Sequence, residues 1–132
     1  MSQKPRPADA GGPGKHVVLI LSSDAVAAAL LGGLVETLGY LVRFYRPPES
    51  PHDAMKRTRP SIALIDCEDP TLMQEDLLGR GRMRGVSMII FGTSEALQHV
   101  RALVAEHELD TLLMPSTLDI LDETLRGVLA DC

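Results

Sequence analysis

Hydrophobic residues fall along this chain in two alternating rhythms. From His16 onward, short continuous apolar runs give way to longer stretches with apolar residues three and four apart. The first run, Val17-Val18-Leu19-Ile20-Leu21, is rich in β-branched residues and has no polar break. That predicts a strand buried on both faces, the kind found in parallel sheets. Ser22-Ser23-Asp24 offers N-cap side chains, and residues 25–38 follow with Leu30, Leu31, Leu34, Val35 and Leu38 at helical spacing before Gly39 ends the pattern.

The same unit recurs. Residues 40–46 predict a second strand stopped by Pro47-Pro48, and Ser50-Pro51 is an N-cap with a first-turn proline for a short helix through Arg57. Pro60 precedes a third buried run, Ile62-Ala63-Leu64-Ile65, ending at Asp66, and residues 71–82 predict a helix interrupted by Gly79 and Gly81. Met88-Ile89-Ile90-Phe91 is a fourth strand closed by Gly92, and Ser94 is placed to cap a helix whose Leu97, Val100, Leu103 and Val104 share one face. Residues 109–113 predict the fifth strand. In the last helix Ser116 and Asp119 resemble a capping box, with Leu118, Leu121, Leu125 and Val128 as the buried stripe.

Before His16 the rhythm is missing. Residues 1–14 carry Pro5, Pro7, Gly11, Gly12, Pro13 and Gly14 with no apolar periodicity, so a flexible tail is expected ahead of a domain at 15–132. The 132 residues are 45% hydrophobic and 23% charged, the size and balance of one globular domain. Aromatics, Tyr40, Phe44, Tyr45 and Phe91, make up only 3%, so the core must be aliphatic and there is no stacking platform for single-stranded nucleic acid. A net charge of −5 is the wrong sign for a phosphate backbone and points to protein or small-molecule partners. Cys67 and Cys132 form neither a disulfide framework nor a metal pattern, and no apolar run near the start resembles a signal peptide. The longest uncharged stretch, 25–35, falls well short of the roughly 20 residues that cross a bilayer. A cytoplasmic setting, with no membrane span, is expected.

Strands alternating with helices through short connections demand right-handed crossovers, hence a doubly wound, mostly parallel sheet in a three-layer αβα sandwich. In such sheets ligands lie outside the carboxyl ends of the strands. That rule nominates Ser22, Ser23 and Asp24 after the first strand, residues 66–69 after the third, residues 92–94 after the fourth, and Met114-Pro115 after the fifth.

At this point the chain resembles the receiver domain of two-component response regulators. Pro60-Ser61-Ile62-Ala63-Leu64-Ile65-Asp66-Cys67-Glu68-Asp69-Pro70 is similar to the family's strand ending in the phosphoacceptor aspartate, with a proline four residues later. Residues 18–23 resemble the first strand and the acidic pair behind it, and Met114-Pro115 resembles the lysine-proline step. The resemblance spans about residues 16–131 and implies a flavodoxin-like α/β fold, a five-stranded parallel sheet in the order 2-1-3-4-5. It places Asp66 at the phosphoacceptor position, Ser22 and Ser23 at the acidic pair, and Met114 at the lysine. Gly92, or Thr93 with a one-residue shift, stands at the switch hydroxyl, and Thr111 at the switch aromatic.

Several of these replacements remove charge. Phosphorylation of an aspartate in this family needs a divalent cation, and Mg²⁺ prefers carboxylate oxygens and waters. Here two neutral hydroxyls replace the acidic pair, Asp24 is a possible substitute acid one residue later, and the Met114 thioether brings no cation to phosphoryl oxygens. The expectation is a pseudo-receiver with no metal or cofactor and no catalysis, signalling by contact with a histidine kinase or another signalling protein. One alternative is a conventional response regulator phosphorylated on Asp66 by a histidine kinase with Mg²⁺. A small-ligand binder at the same rim is the other.

Other motifs fall away. Gly11-Gly12-Pro13-Gly14-Lys15 lacks the preceding strand, the Ser or Thr after Lys, and the following helix of a phosphate loop. Ser22 lies in no nucleophile elbow, and the loop after the first strand lacks the glycines of a nucleotide site. Glu68 and Asp69 read as solvated loop charges, and His99 and His107 as surface or boundary residues. A homodimer through the fourth helix, fifth strand and fifth helix is also expected, because that strand is a sheet edge and Arg101, Glu106, Asp110, Asp122, Glu123 and Arg126 mix both signs there.

Overall fold

A computed structural model describes residues 16–130, so the expected tail at 1–14, Lys15 and Cys132 lie outside the described residues. Five strands, β1 (Val17–Leu21), β2 (Leu41–Phe44), β3 (Ile62–Asp66), β4 (Ser87–Gly92) and β5 (Asp110–Leu113), form one sheet in the order β2-β1-β3-β4-β5. Every neighbouring pair is parallel. The helices are α1 (Ala25–Thr37), α2 (Pro51–Thr58), α3 (Glu75–Met83), α4 (Ser94–His99), α5 (Arg101–Glu106) and α6 (Leu118–Ala130). This is the flavodoxin-like three-layer sandwich, with the strand order, that the sequence led us to expect.

Two cores follow from the alternation of strand side chains. Val18, Ile20, Ile62, Leu64, Ile89, Phe91 and Leu112 point to one face and meet Leu31 and Val35 of α1 and Leu121, Leu125 and Val128 of α6. Leu19, Leu21, Ala63, Ile65, Met88 and Ile90 point to the other and meet Ala54 and Met55 of α2 and Leu77 and Leu78 of α3. Residues of α4 and α5, among them Leu97, Leu103 and Val104, close the second core from its edge while staying partly exposed.

Local chemistry moves several boundaries. The predicted helix beginning at residue 94 is capped by Thr93 rather than Ser94, since the Thr93 hydroxyl accepts the Ala96 N–H at 3.2 Å. That helix is also two, because Val100, at φ −110° and ψ 12°, departs from helical geometry between α4 and α5. At the last helix the expected cap passes from Ser116 to Thr117, whose hydroxyl accepts the Ile120 N–H. Leu118 leaves the expected buried stripe, being 38% exposed. Leu30 likewise turns outward, because the stripe from Leu30 to Leu38 is wider than the face α1 buries. α3 begins at Glu75, not residue 71, because the Asp69 carboxylate accepts the Thr71 N–H at 3.0 Å and holds a turn there.

Candidate functional site

Parallel register assembles the carboxyl rim. Leu21 pairs with Ile65, so Ser22 and Asp66 each follow the paired residues at the ends of neighbouring strands. The Ser22 hydroxyl donates to Asp66 Oδ2 at 2.8 Å, and the Glu68 N–H donates to Asp66 Oδ1 at 3.0 Å. Both oxygens of the carboxylate are therefore engaged, and Ser22 itself is buried. The Ser23 hydroxyl donates to Asp69 Oδ2 at 2.5 Å, while Asp69 Oδ1 takes the Thr71 N–H. Asp24, the possible substitute acid, is the N-cap of α1: its Oδ1 accepts the Val26 and Ala27 N–H groups at 3.0 and 3.1 Å. Beside a helix N-terminus a carboxylate is held by the dipole as well as by these bonds.

Ser23, Asp24, Asp66, Glu68, Asp69 and Pro70 line an open cleft of about 350 Å³. Its charge is negative throughout. A divalent cation does not fit these residues as they stand. Two of the positions are hydroxyls that donate to carboxylates, and Asp24 is turned into its own helix. Among the described residues no three His, Cys, Asp or Glu side chains converge as ligands. Glu68 is exposed, whereas Asp69 is bonded across the rim to Ser23, and both wall the cleft.

The β4 and β5 ends hold the other nominated residues. Gly92 is buried, and a Cβ built there would run into Cys67 Sγ, so the pair Cys67 and Gly92 leaves no space for a hydroxyl-bearing side chain. Burial, reinforced by the Asp66 and Glu68 charges, pushes the Cys67 thiol up to about 11, which keeps it protonated and unreactive near neutrality. Thr93 keeps a hydroxyl near this end, committed to the α4 cap. Met114, whose N–H donates to Gly92 O at 2.8 Å, packs against the α1 and α6 core. Its bond to Pro115 is cis. Thr111 is exposed in a groove of about 330 Å³ with Ser94, Leu97, Arg101, Val104 and Leu113. His99 and His107 sit on separate helices, His99 ending α4 and His107 capping the end of α5.

A feature the sequence reading passed over lies beside the cleft. Ser22, Ser23, Ala25, Ala28, Ala29, Phe44, Tyr45 and Pro47 line a mainly apolar groove of about 350 Å³ between α1 and the β2 end. The available signal was the absence of any charge from Ala25 to Val35.

No family model matches the chain, and no curated protein matches it. Solved structures do. A response regulator receiver protein from Burkholderia phymatum superposes with a TM-score of 0.73 at 18% identity, covering 87% of this chain and 95% of that one. The receiver domain of a sensor histidine kinase from Pseudomonas aeruginosa, whose structure holds a magnesium ion in its active-site cleft, gives 0.70 at 20% identity, covering 87% and 98%. A chemotaxis protein from Vibrio cholerae gives 0.64 at 17% identity, covering 86% and 98%. The chain has the fold of the response regulator receiver domains.

Proposed function

We propose that this chain is a receiver-like signalling domain of a two-component or phosphorelay system that works by protein contact, with a degenerate phosphorylation site and no catalysis of its own. One observation carries the reading: the Asp66 carboxylate at the acceptor position is held by hydrogen bonds on both oxygens, from Ser22 and from the Glu68 N–H. A carboxylate stabilised on both oxygens is a weaker nucleophile. The surrounding rim supplies hydroxyls and a thioether where phosphoryl transfer would need a cation site and a lysine. The partner is a histidine kinase or another signalling protein, in the cytoplasm. Among the described residues no helix is long and apolar enough to cross a membrane. A homodimer through α4, α5, β5 and α6 belongs to the same reading, with the Leu113 groove at its centre. Arg126 contributes little to it, since Asp122 on its own helix holds it at 2.8 Å.

Incubation with acetyl phosphate and Mg²⁺, read by intact mass, tests the proposal. The expected result is an unmodified chain. A stoichiometric gain of one phosphoryl group that Asp66→Asn abolishes would sink this reading and establish the conventional phosphoacceptor.

A further inference from the structure

α2 and α3 adjoin over the second core, where the bare backbone of Gly81 lets α3 settle against β4. A Cβ at Gly81 would run into Met88 Cε and lie 3.5 Å from Met55 Cε of α2. This packing brings His52, in the first turn of α2, against Arg80 of α3 and against Arg84, whose N–H donates to Arg80 O at 3.1 Å just past the helix end. Arg80 Nη1 lies 3.2 Å and Arg84 Nη2 3.3 Å from one atom, His52 Nε2. A guanidinium carries donors only, so that nitrogen is the acceptor, in a neutral ring with its proton on Nδ1. Lys56, one turn along α2 from His52, is exposed on the same helix face.

A solvated basic face holds its like charges apart, whereas here two guanidiniums converge on a single lone pair. That is how they meet one oxyanion, and the imidazole nitrogen stands in the oxygen's place. Of the charges that act on the ring, Arg84, Arg80 and Lys56 are positive and Asp76 is negative, and Asp76 is already turned to Arg80 Nε at 3.2 Å. Burial and these cations hold His52 below the ordinary histidine range. The positive focus belongs to a chain of net charge −5 and shares no residue with the rim cleft or the apolar groove. We propose that His52, Lys56, Arg80 and Arg84 form a binding site for a phosphate dianion, free or as the end of a small phosphate monoester, and that His52 takes up a proton from solvent as the anion enters. The anion supplies the acceptor that both guanidiniums now find in the ring, and the released Nε2, once protonated, becomes a further donor to it. The planar fork of arginine suits phosphate oxygens. Lys56, Arg80 and Arg84 less Asp76 leave two positive charges, which a dianion balances.

Proton NMR of the full chain tests this by following the rings of His16, His52, His99 and His107 across pH, in chloride and in inorganic phosphate at equal ionic strength, with His52→Gln assigning the His52 signal. Phosphate should raise the His52 midpoint by about one pH unit and leave the other three in place. Arg80→Gln with Arg84→Gln, at exposed positions, should abolish the shift and weaken phosphate binding by about tenfold or more, with an unchanged circular dichroism spectrum. The measurement on the unmodified chain decides alone should that variant fail to fold. Glycerol phosphate separates the two sources: an equal or larger shift assigns the site to an ester, a smaller one to the free anion, and either supports it. An unmoved His52 midpoint, an equal shift of all four histidines, or a shift undiminished in the double variant would overturn the proposal. So would heparin binding many times tighter than phosphate and lost in the same variant, since the face would then serve an extended polyanion.

Discussion

α1 and α6 are each 13 residues long and close the same side of the sheet, yet they meet water in opposite ways. Inward, they are equivalent: Ala28, Leu31 and Val35 on one, Leu121, Leu125 and Val128 on the other, all buried. Outward, α6 shows Asp119, Asp122, Glu123 and Arg126, two of them paired along the helix, with its large exposed apolar residues Leu118 and Ile120 confined to the first turn. α1 shows Val26, Ala29, Leu30 and Gly33 instead, with Glu36 and Thr37 polar only in its last turn. The fold requires only the inner stripe, since burying it stabilises both helices alike. Nothing in the sheet asks for Val26 or Leu30, so the two helices differ only in the faces that they turn to water.

The comparison can be broken at three depths. At the largest, Leu31→Ala and Leu125→Ala, both fully buried, should each cost about 2–5 kcal/mol. The readout is the urea midpoint at unchanged slope, and similar losses are expected because the two leucines share one core. A loss under about 1 kcal/mol at Leu31, with a full loss at Leu125, would show that α1 is not held by this core.

The helix starts differ by less. Asp24 caps α1 through two N–H groups and adds a negative charge at the dipole, whereas Thr117 caps α6 through one. Asp24→Ala should therefore cost about 1 kcal/mol and Thr117→Ala about 0.5 kcal/mol in the same unfolding experiment. The reverse order would mean that Asp24 is spent on the cleft rather than on the cap.

The smallest effect on stability sharpens the contrast most. Val26→Ser with Leu30→Ser on α1, and Glu123→Ser on α6, should each change stability by about 0.5 kcal/mol or less. Retention on a hydrophobic-interaction column should nonetheless fall for the α1 pair and stay level for the α6 change. Equal retention before and after the α1 changes would show that its outer face is not the apolar surface described.

The strands were legible at once, because Val17-Val18-Leu19-Ile20-Leu21 and Ile62-Ala63-Leu64-Ile65 are continuous apolar runs that only a sheet covered on both faces can accommodate. Helix starts were legible to within a residue except at α3, which begins at Glu75 and not at residue 71. Thr93 and Ser94 both carry hydroxyls, and the choice between them rests on which adopts extended backbone, here Thr93 at φ −70° and ψ 166°. The outward turn of Leu30 was hidden because Leu30 and Leu31 are equally apolar, and only the packing of α1 on β1 and β2 separates them. At the rim, Asp66 and its neighbours Ser22 and Ser23 were nominated from strand ends alone. The use of Asp24 as a cap and the bond of Ser23 to Asp69 were not, since each residue offered more than one partner.

By itself, the amino-acid order determined the period of each segment, and with it the alternation, the parallel sheet and the residues at its carboxyl ends. That information is local, written in side chains a few positions apart. Tertiary structure alone decided what those residues do. The Ser22 hydroxyl reaches the Asp66 carboxylate across 44 residues of sequence, Cys67 closes the space beside Gly92, and Phe44 lies on Gly32. Each is a contact between distant segments, and such contacts exist only once strand register has brought the segments together.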